Sequence, residues 1–152
     1  MNKTFSKTFV LSVASAALLA LSGNALAMSL IKDAEAKLPA AASSGLATRG
    51  ITRGPGIKQL SPDPSQDIKS PFNLKVAFEP RGGAKIDLST VKVTYLKSPS
   101  VELLDRVKPG LTETGIDLSG AEVPPGDHQI RVSVTDSEGR QSSSVVEIKV
   151  VK

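Results

Sequence analysis

From Phe72 the chain alternates. Phe72, Leu74, Val76 and Phe78 are separated by Asn73, Lys75, Ala77 and Glu79, and that period of two predicts a strand with one buried face. A shorter run, Ile57 to Leu60, precedes it and is stopped by Ser61-Pro62-Asp63-Pro64. Pro80-Arg81-Gly82-Gly83 ends the longer strand. Asp87-Leu88-Ser89-Thr90 predicts a helical turn capped by Asp87, and Val91, Val93 and Tyr95 restart the alternation. Ser100–Arg106 and Thr114–Leu118 read as weaker strands on either side of Lys108-Pro109-Gly110.

The C-terminal third is the most regular. After the turn Val123-Pro124-Pro125-Gly126, the residues His128, Ile130, Val132 and Val134 share one parity, with Gln129, Arg131, Ser133 and Thr135 on the other. Asp136-Ser137-Glu138-Gly139 has the composition of a hairpin loop in which Gly139 supplies a positive φ. Ser144, Val146, Ile148 and Val150 then form a last inward face. About seven short strands with turn signals between them, and no helical period after residue 40, predict an all-β fold: one antiparallel sandwich.

Upstream of this region the texture differs. Lys3 and Lys7 precede a 13-residue apolar run, Phe9 to Leu21, and Ala25-Leu26-Ala27 offers the small residues a signal peptidase requires. The run is short against the ~20 residues a bilayer span needs. The expected organisation is a secretory leader over 1–27, cleaved after Ala27, a flexible segment over 28–55 and a sandwich domain over 56–152. Within the middle segment, Leu30, Ile31, Ala34 and Leu38 fall near one face of a short helix. Thr48-Arg49-Gly50 and Thr52-Arg53-Gly54 form a small echo in which Arg49 and Arg53 are candidate linker contacts to an anionic partner.

Three stretches together resemble a known family. Gly56-Ile57 through Ser61-Pro62, then Ile86 to Val93, then Pro125-Gly126-Asp127-His128-Gln129-Ile130 with Thr135-Asp136 and Gly139, are similar to the immunoglobulin-like domains of bacterial exported proteins. The resemblance spans Gly56 to Lys152 and rests on turn and strand signals, so it implies a fold more than an activity. The chain departs from antibody-type domains in having neither the cysteine pair nor a core tryptophan. In such sandwiches the position of His128 is that of a corner tyrosine, which implies a structural role: a side chain tucked inward and bonded to nearby backbone.

Composition narrows the chemistry. The chain has 19 basic and 15 acidic residues; without Lys3 and Lys7 the excess falls from +4 to +2, too small and too interspersed to point to nucleic acid. With no cysteine, thiolate catalysis, cysteine zinc sites and disulfides are excluded, and the domain must hold by its apolar core. His128 is the only histidine, and serine catalysis would need it as base. Asp63, Asp67, Asp127 and Asp136 lie in or near loops and are the candidate oxygen ligands for calcium or a small ligand at one end of the sandwich. Phe72, Phe78 and Tyr95 fall on inward parities, leaving no aromatic platform for sugars or bases.

What remains is contact with another protein, an envelope protein, through a non-catalytic exported accessory without cofactor or membrane span. The candidate surface is the last strand, where Val145, Glu147, Lys149 and Val151 face outward: an edge there could add to a partner's sheet, against the commoner arrangement in which charges such as Glu147, Lys149 and Lys152 protect it. One outcome is checkable at this point: expressed with its leader in a Gram-negative host, the periplasmic protein should have the intact mass of a chain beginning at Met28, and a mass retaining the leader would refute the cleavage.

Overall fold

The computed structural model describes residues 28–41 and 53–152. The expected leader over 1–27, and Arg49 with its Thr-Arg-Gly step, lie outside the described residues. Ten strand segments follow in order: β1 (Met28–Ser29), β2 (Gly56–Ser61), β3 (Asp67–Lys69), β4 (Phe72–Glu79), β5 (Ile86–Tyr95), β6 (Val101–Glu102), β7 (Leu111–Thr112), β8 (Gly115–Glu122), β9 (Gly126–Asp136) and β10 (Gln141–Val151). Two one-turn helices, α1 (Asp33–Ala36) and α2 (Leu104–Val107), and a 3₁₀ turn at Lys108–Gly110 complete the set.

The strands form a β-sandwich of two five-stranded sheets. In the first the order is β1-β8-β4-β2, with β7 also against β8; in the second it is β3-β10-β9-β5-β6. Pairing is antiparallel except β1 with β8 and β3 with β10. The alternation of the sequence becomes the slab between the sheets: Leu74, Val76 and Phe78 from β4 and Ile116 and Leu118 from β8 face Val91, Val93, Tyr95, Ile130, Val132, Val134, Val146, Ile148 and Val150 from the second sheet. Gly115 lets β8 come close to β4, since a side chain there would run into the carbonyl of Val76. Gly139, at φ 77°, closes the β9–β10 hairpin.

Ten segments replace the seven expected because three short ones, β1, β3 and β7, lie outside the predicted strands; two predicted strands also differ in form. The Asp87–Thr90 turn sits inside β5 as a bulge: the register jumps from Asp87↔Thr135 to Lys92↔Ser133. The capping chemistry read from Asp87 is present, its carboxylate accepting from the backbone and hydroxyl of Ser89 at 3.0 and 2.6 Å. It kinks a strand that long-range pairing with β9 holds extended, so no helix forms. The Ser100–Arg106 strand is likewise corrected. Only Val101–Glu102 pairs, and α2 follows, because Leu103 and Val107, both fully buried, are spaced four apart and reach the core from one turn.

The larger difference concerns the first half of the segment expected to be flexible, since residues 42–52 lie outside the described residues. Residues 28–41 form an arm across one end of the sandwich. Met28 and Ser29 pair with Ala121 and Glu122 of β8, and the carbonyl of Glu122 accepts from the amides of Leu30 and Ile31 at 2.9 and 3.3 Å. Further along, the Pro39 carbonyl accepts from Ser98 at 2.9 Å and the Ala41 amide donates to Leu96 at 3.2 Å. The arm thus ties the first sheet to the strand exit of the second. Its anchor is hydrophobic: Leu30 and Ile31 are 0% and 2% exposed, adjacent in sequence and buried together, which a helix of lone amphipathic type would not require. Leu30→Ala should therefore cost about 2–5 kcal/mol in urea unfolding, whereas a loss under ~0.5 kcal/mol would show that the arm adds nothing to the core.

Candidate functional site

At the end of the sandwich covered by the arm, β9 starts from the Pro124-Pro125 turn and carries His128 inward, 3% exposed. Both ring nitrogens are engaged. Nε2 lies 2.8 Å from the Pro124 carbonyl, which can only accept, so Nε2 carries the proton. Nδ1 is then the acceptor for the Tyr95 hydroxyl at 2.7 Å. The two rings are tilted at 42° with centroids 5.7 Å apart. Lys97 lies over the outer side of Tyr95, its Nζ 5.4 Å from the ring centroid.

Burial favours the neutral imidazole here. Burial holds the His128 pKa below its ordinary 6.5, helped by the positive charge of Lys97 and opposed by the Pro124 hydrogen bond and by Asp127. Burial and the nearby Glu35 carboxylate push Tyr95 up to about 12. With its acceptor used by Tyr95 and its proton held by a carbonyl, the ring has neither a free lone pair for a metal nor a substrate-facing base. Its contacts are those of a corner residue bonded to local backbone.

A second polar cluster fixes the arm. Arg106 of α2 meets Glu35 of α1 in a bidentate pair, both bonds 2.6 Å, and also donates to the Leu30 carbonyl at 2.9 Å. Glu35 accepts as well from the Lys32 amide at 2.9 Å, capping its own helix. The Arg106 hydrogen bonds hold Glu35 down to about 2, against a smaller opposing effect of burial. The arginine in what reads as a weak strand and the glutamate in what reads as a linker carry no local signal of each other; only the arm's docking brings them together.

The surface expected at the last strand is not an edge. β10 lies between β9 and β3, and Lys149–Val151 pair with Asp67–Lys69. Lys149 is further held by Asp67 at 2.8 Å. At Glu147 the carboxamide of Gln59 takes the place of a strand, donating to its carbonyl at 2.8 Å and accepting from its amide at 3.1 Å. Val145, Glu147, Lys149 and Val151 do face outward, but the backbone beside Glu147, Lys149 and Val151 is already occupied. The chain covers this edge by leaving the first sheet at Pro62 and rejoining the second as β3, a switch that alternation alone does not announce.

The candidate oxygen ligands do not converge. Asp136 is buried at the far end of β9, accepting from the Glu138 and Arg140 amides at 3.0 and 2.9 Å and from the Arg140 Nε at 2.8 Å. Asp63 closes a turn onto the Ser65 amide at 2.8 Å. Asp67 and Asp127 lie near each other only across Lys149, whose cation both favour. Among the described residues no group of three or more histidine, cysteine or acidic side chains is placed to hold a metal ion. Arg53 is exposed, and no helix among the described residues is long and apolar enough to cross a membrane.

One surface feature escaped the sequence. The β2–β4 register slips between Gln59 and Ser61, and the bulged residue, Leu60, is 57% exposed, the most exposed large apolar side chain described. It borders a depression of 210 Å³ on the outer face of the first sheet, with Ala77 and Gly115 in its lining and Lys75, Asp117, Thr112 and Thr114 around them. Lys75 and Asp117 pair at 3.0 Å. Leu60 reads in sequence as the end of a short strand; it shares the outward parity of Lys58, and the depression beside it forms only where β4 and β8 pair.

Comparison with models of protein families, with curated proteins and with solved structures yields no match to this chain.

The neutral state of His128 sets a pH dependence. A group whose folded pKa is depressed below its unfolded value takes up its proton more readily when unfolded. Stability should be level above about pH 6.5 and fall as pH drops below it. Melting temperatures between pH 8 and 5 should show that decline, and a His128→Gln variant should flatten it. An unchanged decline in the variant would place its cause elsewhere.

Proposed function

We propose that this chain is an exported accessory protein built on an immunoglobulin-like sandwich, acting by contact with an envelope protein and not by turnover. The strand order supports the family reading: β2, β4 and β8 lie side by side as the first, second and fifth strands of such a sandwich do, and β5, β9 and β10 as the third, sixth and seventh. His128 then stands at the start of the sixth strand, the place of the corner tyrosine. The leader over residues 1–27 supports passage to the periplasm or beyond, with Met28 as the first residue of the mature chain.

The observation that carries the contact reading is the Leu60 patch. Single exposed leucines are ordinary on protein surfaces. This one stands at a bulge, beside a shallow depression with Ala77 and Gly115 in its lining and an ion pair and two hydroxyls around them, the mix of apolar and polar surface that small interfaces carry. The bulge also breaks the β2 ladder, so the patch works by side-chain packing and not by strand addition. The groups that chemistry would need are committed inside the molecule, His128 to Tyr95 and Pro124, Glu35 to Arg106, Asp136 to Arg140.

The test is affinity capture from envelope extract with the mature chain, beside Leu60→Glu and, as a surface control, Leu88→Glu. Exposed substitutions of this kind change stability by only about 0.5 kcal/mol, so all three fold. One envelope protein retained by the wild type and by Leu88→Glu, but at least about tenfold weaker with Leu60→Glu, is the expected result. Retention indifferent to Leu60 would overturn the assignment of the surface. A turnover abolished by a single carboxylate substitution would overturn the class of function.

A further inference from the structure

The two partners of the His128 ring occupy a particular place in the chain. Tyr95 ends β5, and the three residues after it, Leu96, Lys97 and Ser98, are the ones that hold the far part of the arm: Ser98 donates to Pro39, Leu96 accepts from Ala41, and Lys97 bridges Ala40. Pro124 lies two residues after Glu122, whose carbonyl takes the amides of Leu30 and Ile31. The ring therefore spans the two stretches to which the arm is tied, one from each sheet, at the end the arm covers.

That bridge is matched to one proton on the ring and becomes costly with two. Pro124 can only accept, so Nε2 keeps its proton, and a second proton must enter at Nδ1, where the Tyr95 hydroxyl now donates. Tyr95 would have to turn its own proton away and leave the ring a cation in a buried site, with Lys97 nearby adding to the cost. The other charges around the ring do not remove it. Asp127 on β9 favours the cation but is shared with Lys149. Glu147 and Lys149 of β10 share the cleft beside the ring and carry opposite charges. Glu35, the carboxylate near Tyr95, is bound by Arg106.

Relief comes from moving either partner segment, and both moves loosen the arm. The arm is also the part with least to hold it: a two-residue parallel pairing, a few single hydrogen bonds, two buried side chains and one ion pair, against strands of 11 residues in β9 and β10. Local opening at such a segment costs less than opening the sheets. We propose that His128 is an acid-sensitive latch for the N-terminal arm, whose protonation releases residues 28–41 from both sheets while the two-sheet body stays folded. Glu35 does not share the trigger, because its pair with Arg106 persists until pH falls well under 4.5.

The sole histidine makes the test direct, since its Cε1 proton gives one unambiguous NMR resonance. On the ¹⁵N-labelled chain as recovered from the cell, the ring resonance and amide protection are followed from pH 8 to 5. The amides of Leu30, Ile31 and Ala41 should lose protection, with the open fraction rising about tenfold per pH unit below the ring's ordinary value, the slope of one proton. Val132 and Val146 should remain far better protected than the arm at every pH, losing only what the fall in overall stability takes. In His128→Gln the arm amides should show no such slope; if that variant does not fold, the one-proton slope in the wild type and its coincidence with the ring titration decide. A ring that titrates while the arm amides hold overturns the latch, as does an arm whose protection equals that of the core throughout.

Discussion

The slab of valine, isoleucine and leucine side chains between the sheets is what joins them across the middle of the molecule. No disulfide crosses it, because the chain has no cysteine. Apolar contacts of this kind have no direction of their own; they hold while water is kept out. A sandwich offers water four ways in, along two open sides and at two ends. Much of what is irregular in this structure lies at those openings. The Gln59 carboxamide bonded to both backbone groups of Glu147, and β3 laid against the end of β10, close one side. At one end Asp136 ties the last hairpin to Arg140; at the other, the arm lies across and its two apolar residues are inserted into the slab.

Each of these closures uses a polar group to position an apolar one. Glu35 and Arg106 pair where both are mostly shielded from water, with hydrogen bonds at 2.6 Å, and what they hold in place is Leu30, whose carbonyl shares the same guanidinium. A pair so placed adds little net attraction after desolvation, but its geometry is fixed, and that fixes where the arm lies. His128 does the same between two loops. Its position on the inward parity of β9 is set by the strand; its neutral tautomer is set by Tyr95 and Pro124.

How much of this was legible follows from the range over which each feature is determined. Strand faces depend on side chains two residues apart, and β4, β9 and β10 were readable from alternation alone. The inward placement of His128 was readable because parity and turn are both local. The Asp87 bulge was half readable: the carboxylate bonds to Ser89 as its spacing suggests, but whether that makes a helical turn or a kink was decided by β9. The Glu35–Arg106 pair joins residues 71 apart, and neither residue stands out within its own segment. The switch from β2 to β3, and with it the covered edge of β10, depends on a strand changing sheets. The depression beside Leu60 exists only because β4 and β8 pair next to it. Those features belong to the tertiary pairing, where the linear pattern is silent.

The arm shows why a low-complexity stretch beside a domain is not always a tether. Ala, Ser and Lys around α1 give it no helix of its own strength; a four-residue helix does not persist in water. Two adjacent apolar residues suffice to seat it, provided the sandwich leaves a gap at its end and a strand edge beside that gap. β8 supplies both, since only short pieces, β1 and β7, lie along its outer side. An edge filled by the chain's own weakly held segment is protected from strangers without being sealed. A permanent closure would call for a longer strand in that place; a two-residue one, next to the only histidine, leaves the end of the sandwich able to respond to the compartment around it.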